Sequence, residues 1–117
     1  MLSIEEKLFG EKGVILRLKG DLDEIEINTL YNYLSSCPMN NNSNLIINLD
    51  KVEEVDYFAI GFLIARRDFY KKNNGDLKLV STNSVIEKLL EVMNISSYLE
   101  MYKSESEAIN IIFLISG

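Results

Sequence analysis

Histidine is absent from all 117 residues of this chain. A Ser-His-Asp or Cys-His catalytic pair, a histidine general base and every histidine-ligated metal site are therefore excluded. Cysteine occurs once, at Cys37, so the chain cannot form an internal disulfide or a Cys-x-x-Cys pair. This usage fits a reducing compartment. We expect Cys37 to be chemically inert, because no base or metal ligand accompanies it in the sequence.

Long apolar runs are also missing. The longest covers residues 111–115, far short of the roughly 20 residues that cross a bilayer. The acidic start of the chain does not resemble a signal peptide. Twelve basic against eighteen acidic residues give a net charge of −6, and such a surface repels nucleic-acid phosphates and anionic lipids. The sequence predicts a cytoplasmic protein that binds no nucleic acid and does not insert into a membrane.

The composition indicates one folded domain. Hydrophobic residues make up 47% of the chain and charged residues 26%, the balance of a globular protein rather than of a disordered chain. A length of 117 residues suits a single domain. Because no linker, repeat or shift in composition interrupts the chain, we predict one domain over residues 1–117.

Strand and helix patterns alternate along most of the chain. Glycines at both ends of residues 10–13 predict an antiparallel hairpin between the first two strands. The alternation that follows is typical of right-handed β-α-β units. The predicted fold class is therefore α/β, a mostly parallel sheet with an antiparallel N-terminal edge strand and about four helices. The predicted strands are 2–9, 14–19, 45–49, 77–80 and about 99–102.

Apolar spacing predicts which side of each helix is buried. In the first helix the stripe includes Tyr31, and in the third helix we expect Leu89 to face the sheet. In the second helix, predicted from about residue 59 to residue 72, Arg66 is the one charged member of the buried side. The full set on that side is Ala59, Phe62, Leu63, Arg66, Phe69 and Tyr70.

Polar residues mark the helix ends. Three pairs have the spacing of a capping box, in which a polar side chain accepts a hydrogen bond from a backbone N–H at the helix start. These pairs are Asp23 with Glu26, Ser84 with Glu87, and Ser104 with Glu107. Asn73-Asn74-Gly75 predicts the end of the second helix, since Asn and Gly tolerate a left-handed terminus. Pro38 and the polar residues 40–44 predict a loop after the first helix.

Acidic and polar loops follow the predicted parallel strands at residues 20–23, 50–56 and 81–83. Open α/β sheets bind ligands and partners at such loops. Three interpretations are open. The aspartates cap helices and solvate the surface, as these residues commonly do. Alternatively, carboxylates converge to hold Mg²⁺ in a phosphoryl-accepting site. In the third interpretation, the loops form a protein-binding surface.

Three motifs resemble those of the STAS domain, which sulfate transporters and bacterial anti-sigma-factor antagonists share. They are Gly20-Asp21-Leu22-Asp23, Leu45-Ile46-Ile47-Asn48-Leu49 and Val55-Asp56-Tyr57-Phe58-Ala59-Ile60-Gly61. Their order and spacing match over essentially the whole chain. The resemblance implies a single STAS-like domain and a small regulatory protein that is not an enzyme and uses no cofactor.

The resemblance also implies a partner and a site. In such antagonists, an anti-sigma factor that is also a serine kinase binds the unphosphorylated protein and phosphorylates a serine at the start of the second helix. Here Tyr57 stands at that phosphoacceptor position, so serine phosphorylation is not expected in this loop. The partner-binding residues that the match implies are Asp21, Asp23, Asp56, Tyr57, Phe58, Ala59, Gly61 and Asn83. An alternative role is a STAS module of a transporter or of a larger signalling assembly.

Two interpretations remain for the aromatic pair Tyr57 and Phe58. Either the two rings pack on the domain itself, or they form a contact patch at the tip of the loop. Tyrosine and phenylalanine are favoured at the centres of protein interfaces, so the second interpretation predicts two exposed rings.

Overall fold

A computed structural model describes residues 1–11, 13–36, 44–95 and 97–116. Predictions for Cys37, for Pro38 and the residues up to 43, and for the centre of the first turn at Lys12 lie outside the described residues. The elements in chain order are β1 (Ser3–Phe9), β2 (Gly13–Leu22), α1 (Ile27–Ser36), β3 (Asn44–Val55), α2 (Tyr57–Lys72), β4 (Asp76–Val80), α3 (Ser84–Val92), β5 (Glu100–Tyr102) and α4 (Glu105–Ser116).

The strands form one five-stranded sheet in the order β1-β2-β3-β4-β5. The strand β1 pairs antiparallel with β2, and every later pairing is parallel. The predicted fold class is thereby confirmed. The connection between β1 and β2 is too short for anything but a hairpin, whereas helices make the later crossovers that parallel strands need.

The sheet has an apolar core on each face. Three helices, α1, α2 and α3, cover one face through residues such as Leu30, Leu63 and Leu90. The helix α4 covers part of the other face, where Ala108 and Ile112 pack on residues from β2, β3 and β4. Apolar side chains are therefore needed on both sides of β3, which explains the continuous run at residues 45–47.

The strands β2 and β3 extend further than their patterns predict. The prediction ended β3 at residue 49 and placed a loop at 50–56, but β3 continues to Val55. The pairs Gly20–Val52 and Leu22–Val55 hold this extension to β2. The prediction ended β3 where its apolar run ends, and shifts in register between the two strands accompany the extension.

Glycine is required at the end of β2. Gly20 has a φ of +112°, a conformation that residues with a side chain rarely adopt. A Cβ atom there would also overlap the carbonyl oxygen of Met1. The fold therefore requires the glycine of the Gly-Asp-Leu-Asp motif.

Two predicted helix starts are confirmed and one is wrong. The Asp23 carboxylate accepts hydrogen bonds from the N–H groups that precede α1. Ser104 Oγ accepts from the N–H of Glu107 at the start of α4, at 3.1 Å. In α3, however, the capping residue is Asn83 and not Ser84, which is already helical. Both are good capping residues, so sequence spacing alone could not separate them.

The buried side of α2 differs from the predicted one. The side chains that the helix buries are Ala59, Ile60, Leu63 and Tyr70. Phe69 is half exposed, and Phe62 and Arg66 are only partly buried. Apolar residues occupy most of the circumference of α2, so their spacing does not single out one buried side. The predicted buried side therefore included residues that face the outer surface. Tyr31 of α1, also predicted as buried, is exposed beside them.

Candidate functional site

The carboxyl ends of β2 and β3 bring two of the motifs together. The N–H of Asp56 donates to the carbonyl of Leu22 at 3.3 Å, so the loop after β2 lies against the start of α2. Asp56 is the single residue between β3 and α2. The resulting surface comprises the connection from β2 to α1 and the first turn of α2, and we refer to it as the loop site.

Asp56 holds the loop site together. One carboxylate oxygen accepts from the N–H of Ala59 at 3.0 Å and thereby caps α2. The other oxygen accepts from the N–H of Glu24 at 2.8 Å, in the loop that follows β2. A negative side chain here also interacts favourably with the positive end of the helix dipole. Asp56 therefore fixes the relative position of the two segments.

Two further predicted residues are also capping groups. Asp23 Oδ1 accepts from the N–H groups of Ile25 at 3.1 Å and Glu26 at 2.8 Å. Asn83 Oδ1 accepts from the first turn of α3, and its Nδ2 donates to the carbonyl of Val52 at 3.3 Å. The interpretation that these polar residues cap helices and turns is therefore confirmed for Asp23, Asp56 and Asn83.

Asp21 differs from these three residues. Its side chain is partly buried at the carboxyl end of β2. Within the part of the chain that the structure describes, it has no hydrogen bond or ion pair. Its carboxylate is thus the one acidic group of the Gly-Asp-Leu-Asp motif that the fold itself leaves unused.

Tyr57 and Phe58 point away from the domain. They are 73% and 62% exposed, respectively, although they are large and apolar. They occupy the first two helical positions of α2, whereas Ala59 and Ile60 turn into the core. The interpretation that both rings pack on the domain is wrong. Ala59, by contrast, is fully buried, so its side chain supports the loop site from below.

Gly61 lies on the exposed side of α2, one turn after Tyr57. A Cβ atom at this position would meet no other atom within 4 Å, and the backbone is ordinary helix. Glycine inside a helix costs about 0.5–1 kcal/mol relative to alanine. The fold therefore provides no reason for glycine here, unlike at Gly20.

The arrangement offers no evident chemistry. Among the described residues, no three Cys, Asp or Glu side chains gather closely enough to hold a metal ion. The magnesium interpretation therefore finds no cluster of carboxylates to support it. What the loop site does present is a rigid, capped turn that displays two exposed aromatic rings, which suits contact with another macromolecule.

A second cluster at the surface combines the half-exposed Tyr31 and Phe69 with the partly buried Phe62 and Arg66. Arg66 lies with its guanidinium carbon 5.8, 5.7 and 5.6 Å from the ring centroids of Tyr31, Phe62 and Phe69. We call these four residues the aromatic face. The signal was present in the sequence, because Phe62, Arg66 and Phe69 follow one another at helical spacing. The prediction assigned that spacing to the core.

The fold and the site define a class of protein: a small α/β domain with two exposed aromatic rings where two parallel strands end. The family follows from comparison with known domains. The family model for the STAS domain matches residues 7–108, so the chain belongs to the STAS domain family.

Solved structures with the same fold include anti-sigma factor antagonists. The antagonist from Mycobacterium paratuberculosis superposes with a TM-score of 0.81 at 13% identity, over 96% of this chain and 94% of that one. The unphosphorylated form of the antagonist SpoIIAA superposes with a TM-score of 0.74 at 17% identity, over 94% of this chain and 96% of that one. SpoIIAA from Bacillus in its phosphorylated form superposes with a TM-score of 0.68 at 17% identity, over 94% of this chain and 99% of that one.

Two further findings concern sequence relatives and the helices. A search of curated protein sequences finds no match. Within the described residues, none of the helices combines the length and the apolar character that crossing a bilayer demands.

Proposed function

We propose that this protein is a non-enzymatic regulatory module of the cytoplasm that acts as an anti-sigma-factor antagonist does. It binds a protein partner of the anti-sigma-factor or regulatory-kinase type, and neither a cofactor nor a nucleic acid takes part. The observation that carries the proposal is the exposure of Tyr57 and Phe58 at the start of α2. The surrounding residues in the proposed surface are Asp21, Asp23, Asp56, Gly61 and Asn83, with Ala59 beneath them.

The physical argument rests on preorganisation. Both oxygens of Asp56 are engaged by backbone N–H groups, so the loop site does not have to become ordered when a partner binds. Rigid aromatic side chains contribute large contact area at low entropic cost, and such residues are common among the few that dominate binding energy. Two exposed rings on a rigid turn therefore support a binding function.

The loop site has lost the means for a serine switch. Residues 55–61 contain no serine or threonine, and Tyr57 holds its hydroxyl several bonds farther from the backbone than serine does. A phosphate on tyrosine could not reach the N–H groups at the start of α2 that would accommodate one on serine. We infer that binding at this site is not controlled by serine phosphorylation within the loop.

The double variant Tyr57→Ser, Phe58→Ser tests the binding proposal. We expect it to weaken partner binding by about 2 kcal/mol or more, the size of an interface hot spot, while thermal stability changes little because both rings are exposed. The partner is first captured from the native cell on the immobilised wild-type protein and identified by mass spectrometry. Its affinity for both proteins is then measured by titration calorimetry.

A matched control uses an adjacent apolar pair outside the loop site. Phe113 and Leu114 of α4 are also exposed, but α4 packs on the opposite face of the sheet. The variant Phe113→Ser, Leu114→Ser should keep the wild-type affinity. Loss of stability without loss of affinity in the loop-site variant would place its rings in the core. Unchanged affinity would mean that the partner binds elsewhere.

Addition of ATP to the complex should leave the intact mass of the protein unshifted. A phosphate in residues 55–61 would refute the loss of the serine switch.

Gly61→Ala adds a single methyl group whose effects on stability and on partner affinity are expected to differ. Because the new methyl group meets nothing and alanine favours helix, we expect the variant to be more stable by about 0.5–1 kcal/mol. If the partner approaches the backbone of α2 closely, the same methyl group lowers affinity. Urea denaturation and calorimetry on this variant provide both values. A variant that is more stable and binds equally well would remove Gly61 from the proposed surface.

A further inference from the structure

The aromatic face is a continuous outer surface formed by α1 and α2. Tyr31 and Phe62 pack edge to face, with ring centroids 6.3 Å apart. Tyr31 and Phe69 are each 51% exposed, and Arg66 lies within 6 Å of all three ring centroids. Apolar area of this kind on a folded domain marks a surface for binding.

Among the described residues Arg66 has no carboxylate partner, although the chain has acid in excess, with 18 acidic residues. The other cations of α2 are paired. Arg67 and Lys71 contact Asp76, and Lys72 contacts Asp68. Within the described residues Arg66 makes no hydrogen bond or ion pair through its guanidinium N–H groups, and the guanidinium lies against the three rings. Arginine in such a setting is suited to a carboxylate, which it binds through two parallel hydrogen bonds.

We propose that the aromatic face binds an amphipathic helix of another protein. Apolar residues of that helix pack on Tyr31, Phe62 and Phe69, and a glutamate or aspartate among them pairs with Arg66. The helix α2 has 16 residues and is therefore about 24 Å long, enough to seat several turns of a partner helix. The aromatic face adjoins the loop site, since Phe58 and Phe62 lie one turn apart on α2, but the inference is argued from other residues and does not depend on the proposed function.

The charges favour this occupant over a second copy of the chain. In a symmetric dimer built on this patch, both copies would contribute the same four residues, and these include no carboxylate to pair with either Arg66. Each chain also carries a net charge of −6, which opposes association of like copies. A helix with an acidic residue between apolar ones satisfies both the rings and the unpaired guanidinium.

Selection from a phage library of random helical peptides tests the proposal, with the wild-type protein as the target. We expect enriched peptides to carry Asp or Glu between apolar residues at i, i+3 or i+4 spacing. Their affinity should fall at least tenfold with Arg66→Glu, and changing the peptide's acidic residue to lysine should restore binding to that variant. The matched control is Lys72→Glu, which makes the same change in net charge on the same helix and should leave binding unchanged.

Three results would overturn the proposal. One is enrichment of no peptide, or of peptides without an acidic residue. Another is equal binding by the Arg66→Glu and wild-type proteins, both shown by thermal melting to be folded. The third is a dimer in light scattering that Arg66→Glu dissociates, since this would assign the face to a second copy. The single variant Tyr57→Ser keeps the two proposals apart, because Tyr57 belongs to the loop site but lies on a different side of α2 from Phe62 and Arg66, so the variant should still bind the selected peptides.

Discussion

Replacing Asp76 with alanine is expected to lower the free energy of unfolding by about 2–3 kcal/mol, because two charged groups each lose a hydrogen-bond partner. The Asp76 carboxylate accepts from Arg67 Nε at 3.0 Å and from Lys78 Nζ at 3.0 Å. Lys78 is only 1% exposed. Without Asp76, its buried ammonium group would retain Glu100 as its carboxylate partner, and Arg67 would lose its hydrogen bond at the start of β4.

Lys78→Met is the matched control. Methionine has a similar length and removes the buried charge together with its need for partners, while Arg67 still neutralises Asp76. Because Asp76 and Glu100 both keep Arg67 as a partner, neither carboxylate is left unpaired, and we expect a smaller loss than for Asp76→Ala. Urea denaturation of the two variants and the wild type measures both effects. A loss below about 1 kcal/mol for Asp76→Ala would show that the pair contributes no more than an exposed one.

The pH dependence of stability provides a second measure of the same pair. Burial raises the pKa of Asp76, but hydrogen bonds from Arg67 and Lys78 outweigh it and hold that pKa below its ordinary value of 3.8. The contribution of Asp76 is therefore complete above pH 3.8 and is lost as pH falls through the lower folded value. Asp76→Ala should remove this part of the acid sensitivity.

The opposite sign applies to Lys78. Burial lowers its pKa, but hydrogen bonds to Glu100 and Asp76 outweigh burial and raise that pKa above the ordinary 10.5. Its contribution is complete below pH 10.5 and is lost as pH rises through the higher folded value. Lys78→Met should therefore flatten the alkaline side of the wild-type profile.

Leu90→Ala is expected to lower the free energy of unfolding by about 3–4 kcal/mol, within the range for leucine in a core. Leu90 belongs to the cluster between the sheet and α3 and is 7% exposed. Such a loss is a large share of the 5–15 kcal/mol that is typical of domains. The midpoint of thermal unfolding and a urea titration measure it.

The neighbouring residue provides the comparison. The sequence pattern selected Leu89 as the residue that faces the sheet, but Leu89 is only partly buried at the margin of the cluster. We expect Leu89→Ala to cost about 1–2 kcal/mol, in proportion to the smaller apolar area that it buries. If the two variants lose equal stability, the orientation of α3 on the sheet is not the one described here.

Local patterns were sufficient for the order of elements. The strand at residues 45–47 is continuously apolar because it is covered on both faces. Three adjacent apolar residues are enough to predict such a buried strand. The end of α2 was equally readable, since Asn74 takes a φ of +65° that few residues tolerate. Absences were also decisive, because a chain without histidine excludes whole classes of chemistry whatever its fold.

Tertiary structure decided which side of each element faces outward. Phe62, Arg66 and Phe69 match a buried stripe by spacing, yet only the seating of α2 on the sheet, through Leu63 and Tyr70, turns them toward solvent. Spacing records which residues share a face but not what that face meets.

The loop site shows the same division. The sequence by itself determined that Asp56, Tyr57 and Phe58 lie where a strand ends and a helix begins. It could not determine that the Asp56 carboxylate reaches across to the N–H of Glu24, since that bond joins segments 32 residues apart. Nor could it determine that both rings are exposed, because the burial of a side chain depends on neighbours that only the folded sheet brings together.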